Sequence, residues 1–485
     1  MLEKLKSKSI LFYVTMFFVL IQAMGFALSA VKLITMDLLP GAYLAGYIVI
    51  AVVMVLGQVA LSWLVFKKPW GFIAVIFVSC AVSIATIWAF CALTEVENTI
   101  DYIADNSDEV VTEMAIIVLK DADIEDITQM DEYIIGFVNG IDEDATVKVK
   151  DEINLSLGEP PRYVAFNSIM DVTSALFAKS INAMIINSSY MDIIKEMEEY
   201  ADFDNMVRLI YSTEVKGTMN VVDEGSKNYD SFVVYISGID KFGAVSILSR
   251  SDVNILMAVN TKTKTIQMIS TPRDFYVELP NSNGMKDKLT HAGMYGLNNS
   301  IGAMENLYGI NIDYYVKMNF SGFEAIIDSL DGIDVYSEYE FTVEPIKHYV
   351  VGMNHLNGIE ALAFARERYA LQGGDRQRGV NQMAVIKATI NKMTSPTIIY
   401  RYDKVLENIS QTVQTNFTSE ELYGLVKMQI KDMAEWDIRS YSVNGKGTYA
   451  ETFTVKGREV YVMVPDMTTI EEAKLLIQNT LAGVN

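Results

Sequence analysis

An α/β fold behind a set of membrane-spanning helices is the architecture this sequence predicts, and three observations predict it. Apolar residues make up 51% of the 485 residues, yet the formal charge is −22, a pairing that one soluble globule accommodates poorly. The two properties are segregated along the chain. Residues 1–94 hold Lys4, Lys6, Lys8, Lys32, Lys67 and Lys68 against only Glu3 and Asp37, a balance of +4 that leaves −26 on residues 95–485. From Ser231 onward, short apolar runs of buried-strand type interleave with helical periodicity, the pattern of an α/β sandwich.

The head, residues 1–94, carries three apolar runs, Ile10–Ser29, Ala42–Phe66 and Phe72–Leu93. Each reaches the roughly 20 helical residues needed to cross a bilayer core. Lys67-Lys68-Pro69-Trp70-Gly71 breaks the second run from the third. Two further spans after the first argue against a cleaved signal peptide. Lysines before the first run and at 67–68 place the N-terminus and that turn in the cytoplasm. The expectation is a multi-pass cell-membrane protein with its acidic body outside the cytoplasm; Lys32, in the first outer loop, runs against the rule.

Residues 95–225 are rich in Asp and Glu and poor in Gly and Pro. They are expected to form an α+β accessory domain, with amphipathic helices over Asp126–Val138 and Met191–Leu209, a break at Glu159-Pro160-Pro161, and a polar linker from Val215 to Tyr229. No constellation of chemically active residues stands out there, so an interaction role is the expectation.

Residues 226–485 form the expected third domain. Ser231–Ser237, Val253–Val259 and Thr265–Ser270 read as strands, the last two joined as a hairpin through the polar Asn260–Lys264 turn. Helices are expected over Asn298–Tyr308, Phe320–Leu330, Asn357–Arg366, Val380–Met393, Thr418–Lys431 and Thr468–Leu481. Thr418 or Ser419 caps the fifth ahead of an acidic first turn. Asn416-Phe417-Thr418 fits a glycosylation sequon, a match that chance supplies often.

Composition excludes some functions. A strongly acidic body opposes a nucleic-acid partner, which requires phosphate-neutralising basic surface. Both cysteines, Cys80 and Cys91, lie in the head, so the body has no disulfide. No Ser-His-Asp pattern, zinc-type Cys/His spacing, phosphate-binding glycine loop or dinucleotide fingerprint is present. His291, one of 3 histidines, reads first as structural.

The chemically distinctive residues sit at strand ends, where ligands of α/β sheets gather. Asp240 follows the first strand, Arg250-Ser251-Asp252 opens the second, and Pro272-Arg273-Asp274 follows the third. Asp240 and Asp252 suit one Mg²⁺, which takes one or two carboxylates; on these residues alone, two solvated loop aspartates is the plainer reading. Arg366 and Arg368 share a face only if the chain is extended there, so the helix from Asn357 should end near Arg366. Asp375 is a candidate helix N-cap. Arg378 and Gln382, four apart, share a helical face near that N-terminus, which favours phosphate, and arginine forks match phosphate oxygens. Ordinary surface ion pairs are the alternative.

At this point the residues resemble a known family. Arg250-Ser-Asp-Val-Asn-Ile-Leu-Met-Ala-Val-Asn through Ser270-Thr-Pro-Arg-Asp274, then Arg366-Glu-Arg-Tyr, Gly-Gly-Asp375, Arg378 and Gln382 resemble the core signature of the LytR-CpsA-Psr family over about residues 230–395. The layout of three spans and an accessory domain resembles its CpsA-type, capsule-associated branch. The resemblance implies an α/β/α sandwich with an apolar tunnel for a polyprenyl chain. It implies transfer of a glycopolymer from undecaprenyl pyrophosphate to a peptidoglycan acceptor in a Gram-positive envelope. It implies Mg²⁺ on Asp240 and Asp252, and pyrophosphate on Arg250, Arg273, Arg366, Arg368, Arg378 and Gln382. Arg273, Arg366, Arg368 and Asp375 would then be catalytic, with Asp375 or Asp274 as candidate base. Implied partners are the lipid-linked polysaccharide, peptidoglycan, the bilayer and proteins of a capsule synthesis complex. Thr271 and Gly379-Val380-Asn381 depart from common family residues and leave acceptor preference open. A lipid-pyrophosphate-binding regulator and a polyprenyl pyrophosphatase are the competing readings; charge and topology oppose a cytoplasmic transcription regulator.

Overall fold

The computed structural model describes residues 2–64, 69–105, 109–218, 229–240, 244–368, 370–371, 374–395, 404–405, 408 and 412–484. The expected Lys67-Lys68 break, much of the linker, Tyr369 and Gly373 lie outside them. The chain forms two compact units: residues 1–105, 391–410 and 417–435, and residues 106–390, 411–416 and 436–485.

In the first unit, α1 (Leu2–Thr35), α2 (Gly41–Leu64) and α3 (Pro69–Asp105) each contain a segment long and apolar enough to cross a membrane. Their outer faces expose Leu20, Val53, Phe77 and Trp88, as a lipid-facing surface requires. Inside, Ser79 Oγ donates to Gln58 Oε1 at 3.2 Å, and Gly25 lies so close to Thr86 that a Cβ would collide with its hydroxyl. Lys32 pairs with Glu97 at 2.5 Å. Helix Ser419–Asp432 joins this unit; Thr418 and Glu421 form its capping box, and Lys427 Nζ donates to both Asp37 oxygens at 2.7 Å.

Among the described residues the second unit is built on two larger sheets, one of five and one of six strands, with four two-stranded ribbons. The first is built from β1 (Glu109–Leu119), β2 (Ile134–Val138), β3 (Arg162–Phe166), β4 (Ala183–Asn187) and β5 (Val207–Thr218), in the order β3-β2-β4-β1-β5. Strand β2 runs parallel to β3 and β4, and β1 is antiparallel to β4 and β5. Helices α4 (Glu143–Ser156) and α5 (Ile169–Phe177) connect the parallel strands.

Two helical expectations fail here. Asp126–Val138 contains only the short turn Ile127–Gln129 and then β2. Ile134-Ile-Gly-Phe-Val138 is a continuous apolar run, which periodicity does not separate from a helix. Gly136 admits no Cβ against Ile181, Val172 and Phe166, so the run is a central strand. Met191–Leu209 breaks into α6 (Met191–Lys195), a turn at Glu198–Tyr200 and α7 (Phe203–Met206), and then becomes β5. Pairing of β5 along the whole of β1 overrides the local helical period.

The second sheet is built from β6 (Ser231–Ile239), β7 (Ser251–Asn260) and β8 (Thr265–Ser270). A small ribbon, β9 (Tyr276–Glu278) with β10 (Lys286–Lys288), leads to α8 (Leu289–Ala292) and α9 (Leu297–Tyr308). Then come β11 (Tyr314–Asn319), α10 (Phe320–Ser329), and two further ribbons from β12 (Ile333–Ser337), β13 (Phe341–Val343), β14 (Lys347–Tyr349) and β15 (Gly352–Leu356). Helices α11 (Gly358–Arg366) and α12 (Gly374–Met393) follow, and β16 (Val413–Thr415), β17 (Asp437–Ser442), β18 (Gly445–Glu451), β19 (Glu459–Pro465) and a final helix, Met467–Ala482, complete the unit.

The central order is β16-β11-β6-β7-β8-β17, with the expected β7–β8 hairpin in antiparallel register. Strands β6, β7 and β8 are buried on both faces, so helices cover both. Val233, Tyr235, Leu256, Ala258, Ile269 and Tyr315 pack with residues of α9 and the final helix. On the opposite face Ser270 meets Gly379 of α12. The result is an α/β/α sandwich around a mixed sheet. Asn416, the sequon residue, is spent on the fold: Oδ1 accepts from Tyr315 N and Nδ2 donates to Asp313 O.

Candidate active site

One end of the central sheet collects almost every residue singled out above. Strand β7 is antiparallel to β6 and β8, while β11 is parallel to β6 and β17 to β8. The start of β7 therefore lies beside the ends of the other four. Asp240 follows β6, Asp252 opens β7, Arg273 follows β8, and Asn319-Phe320 closes β11.

Asp252 owes its position to a bulge. Gly238 pairs with Val253 and Ile239 with Ser251, so Asp252 is the extra residue and its side chain is re-aimed. Gly238 suits the tight crossing: a Cβ there would lie 2.7 Å from Val253 Cγ2. The Asp252 carboxylate is buried, with Oδ2 accepting from Arg273 Nη1 at 2.9 Å and Oδ1 from Thr290 Oγ1 at 2.9 Å. Burial alone would raise its pKa, but the charges of Arg273, Arg250 and Arg378 and the Thr290 hydrogen bond outweigh it and hold the carboxyl at about 2.

Around Asp252, a narrow cleft is lined by Ser270, Arg273, Asp375, Arg376, Arg378 and Gln382, among others. Helix α12 delivers the last four. It begins at Gly374, which puts Asp375 inside the first turn rather than at the expected N-cap. Asp375 Oδ1 lies 2.7 Å from Arg378 Nη2 and 3.9 Å from Arg368 Nη1. Burial raises the Asp375 pKa; Arg378 opposes the shift, and Asp274 adds to it. Arg378 Nη2 also reaches Asp252 O at 3.4 Å. Gly379 fits because a Cβ would lie 2.3 Å from Ser270 Oγ, a packing reason for that departure from the common family residue. Arg273 keeps Nε buried without a hydrogen bond.

The remaining residues flank the cleft rather than line it. Helix α11 ends at Arg366 and the chain turns extended at Glu367, as the Arg366/Arg368 spacing required. Arg366 Nη2 reaches Asp240 Oδ2 at 3.4 Å, and its guanidinium stacks on the Phe320 ring, 4.4 Å from the centroid. Burial raises the Asp240 pKa; Arg366 opposes this, and Asp252 adds to it. Arg250 turns toward the first sheet's domain, with Nη1 donating to Glu196 Oε1 at 2.9 Å and Nη2 lying 3.7 Å from Asp192. Lys288 donates to the other Glu196 oxygen at 2.9 Å and lies 3.8 Å from Asp274. His291 is buried with Nδ1 paired to Asp287 Oδ1 at 2.7 Å, in line with the structural reading.

Among the described residues no cluster of three or more His, Cys, Asp or Glu is arranged to hold a metal. A two-carboxylate Mg²⁺ site asks less. Each Asp252 oxygen has one donor and keeps a further lone pair, and Asp240 is a carboxylate raised in pKa partly by Asp252 itself. These donors fit a hard dication that completes its shell with water and phosphate oxygens. Sequence reasoning missed Thr290, Glu196, Lys288, Arg376 and the Phe320 platform. Thr290 and Phe320 carry no motif of their own, and Glu196 lies far from the core motifs in a segment without chemical patterning.

A family model described as the LytR_cpsA_psr family matches residues 193–472. The polyisoprenyl-teichoic acid–peptidoglycan teichoic acid transferase TagT of Bacillus subtilis (strain 168) is 31% identical over 265 residues, 52% of this chain and 81% of that protein. The transferase of the same description named TagU from Bacillus mycoides (strain KBAB4) is 33% identical over 230 residues, 45% of this chain and 75% of that protein. The crystal structure of B. subtilis TagV superimposes with a TM-score of 0.44 at 30% identity, covering 53% of this chain and 98% of that one.

Proposed function

The chain belongs to the LytR_cpsA_psr family, and from that premise we propose that it transfers a glycopolymer from a polyprenyl pyrophosphate carrier to peptidoglycan. The observation that carries this reading is the cleft in which Arg273, Arg376 and Arg378 surround the buried Asp252. Such a site binds an anion with fixed donors. An acceptor hydroxyl attacks the sugar-linked phosphorus. The bond from that phosphorus to the bridging oxygen breaks, and polyprenyl phosphate leaves. The hydroxyl proton passes to a carboxylate, with Asp375 the leading candidate because its pKa is raised and it lies in the cleft.

Arg273, with Nη1 fixed by Asp252 and Nε 3.8 Å from Asp274, supplies a positioned positive charge to the pyrophosphate. Arg366, Arg368, Arg378 and Gln382 complete the phosphate-binding set, and Arg250 supports it from its anchor on Glu196. This is positioning and charge neutralisation, the main source of catalysis in phosphoryl transfer. Asp240 and Asp252 would hold Mg²⁺, which when bound offsets charge on the phosphates. The acidic body faces outward from the cytoplasm, where peptidoglycan lies. The polymer is proposed to be capsular polysaccharide on the strength of the whole-chain layout; the relatives named above move teichoic acid, so a panel of lipid-linked polymers decides.

The test is release of polyprenyl phosphate with and without peptidoglycan fragments. Release that requires the acceptor supports transfer, and acceptor-independent release replaces it with a pyrophosphatase. Saturable lipid binding without release would leave only a regulatory role, in which proteins of a capsule synthesis complex respond to occupancy.

A further inference from the structure

The ribbon of β18 and β19 rises from the wall of the arginine cleft. Ser442 and Val443 line that cleft, and β18 starts just beyond them at Gly445. On the other strand, Met463 N donates to Asp274 O at 2.7 Å, and Phe275 pairs with Met463 in parallel register. Tyr461 stands two residues before Met463, as Arg273 stands two before Phe275, which sets Tyr461 in step with Arg273. Burial, then the charges of Asp274 and Asp375, push the Tyr461 phenol up in pKa. Its ring therefore lies within the field of both carboxylates.

Tyr461 faces Tyr449 directly across the ribbon. Its chain neighbours Val460 and Val462 point to the other face and are buried. The two tyrosines stay 41% and 67% exposed. Their rings meet at 79° with centroids 6.1 Å apart, an open corner of two aromatic surfaces. Gly447 makes room for Tyr461: a Cβ there would lie 2.8 Å from the phenol oxygen and from Cε2. An aromatic ring over a glycine is one way a ribbon is pinned. That packing explains Tyr461 as a strut; it does not require the more exposed Tyr449.

Place and chemistry together select the occupant of this corner. In the proposed transfer the acceptor hydroxyl reaches Asp375, so the sugar ring that carries it lies beside that carboxylate. Asp274, Asp375 and the acidic body oppose an anionic ligand. A neutral pyranose ring suits the corner. Its weakly positive C–H groups pack on the negative face of a phenol ring, and its hydroxyls bond with the phenol hydroxyls. We propose that Tyr449 and Tyr461 form the subsite for a sugar ring of the peptidoglycan acceptor and so set acceptor preference. The inference rests on the transfer reading and adds to it the surface that holds the acceptor glycan. The lipid-linked donor is held by its pyrophosphate on the arginines, so the tyrosines act on the acceptor alone.

The test uses the full chain in a detergent without a sugar headgroup, with Mg²⁺ and a polyprenyl pyrophosphate that carries no sugar. The probe is soluble peptidoglycan glycan freed of its peptides, and binding is followed by isothermal titration calorimetry. The wild-type chain should bind this glycan saturably. Tyr461→Leu and Tyr449→Leu should each weaken binding about tenfold. Tyr461→Phe keeps the ring and should stay within about threefold of wild type. In transfer assays the leucine variants should raise the acceptor KM and leave the donor KM unchanged, a split that a purely structural strut would not produce. Glycan binding that both leucine variants retain, no glycan binding by wild type, or a rise in donor KM alone overturns the proposal. Tyrosine-dependent glycan binding with no transfer product would uphold the glycan subsite while removing the transfer reading.

Discussion

Replacing Asp252 with asparagine removes a buried charge while preserving side-chain shape, and the structure sets the size of the effect. A carboxyl held at about 2 rather than its ordinary 3.8 contributes roughly 2.4 kcal/mol to folding at neutral pH. The sign follows from the depressed pKa. The contribution is complete above the unfolded-state value and fades as pH falls toward the folded-state value, so at pH 3 roughly half remains. Asparagine has a single acceptor oxygen, so it turns an NH2 toward either Thr290 or Arg273 in place of a carboxylate oxygen. A melting temperature lower by about 3 °C is expected at pH 7, followed by intrinsic fluorescence on the full chain in detergent. The gap between wild type and Asp252→Asn should narrow as pH is lowered from 5 to 3. A variant as stable as wild type at pH 7, or a gap that ignores pH, would refute the placement of Asp252 among these arginines.

Other perturbations separate the parts of the site. Arg273→Ala and Arg366→Ala should each remove most transfer while the fold survives, read as product yield against a thermal melt; near-normal transfer by both ends the arginine-cleft account. Asp375→Asn should lower the rate and abolish the rise of activity with pH, because a base of raised pKa must lose its proton before it acts; an unchanged pH profile assigns the base elsewhere. Glu196→Ala should cost about 3 kcal/mol in a denaturant titration, since it leaves the 6% exposed Lys288 with only Asp274 at 3.8 Å. A change within about 0.5 kcal/mol would mean that Arg250 and Lys288 find other partners. Asp240→Ala or Asp252→Ala should each raise the Mg²⁺ concentration needed for half-maximal activity, and an unshifted titration counts against both as ligands.

The parts of this fold that sequence reveals are those governed by local physics. The β7–β8 hairpin is legible from apolar runs around a polar turn. The end of α11 at Arg366 follows from the two-residue arginine spacing, and the Thr418 capping box from its Glu three residues on. What escapes is set by pairing at a distance. Val207–Thr218 becomes a strand because β1 offers a full-length partner, and Ile134–Val138 because a sheet closes on both of its edges. The site divides in the same way. Asp240, Asp252, Arg273 and Arg378 are visible because charged residues at strand ends and helix starts are unusual. The bulge that aims Asp252, the Thr290 hydroxyl on it, the Phe320 face under Arg366 and the Glu196 anchor of Arg250 all depend on tertiary contacts with no local signature.

The most direct test joins the two substrates. Purified full-length chain with Mg²⁺, a polyprenyl-pyrophosphate saccharide and peptidoglycan fragments should yield a saccharide–peptidoglycan product whose mass fits one phosphodiester link. That product should be absent with EDTA and with Arg273→Ala. Release of phosphate or lipid without that product would contradict the transfer reading.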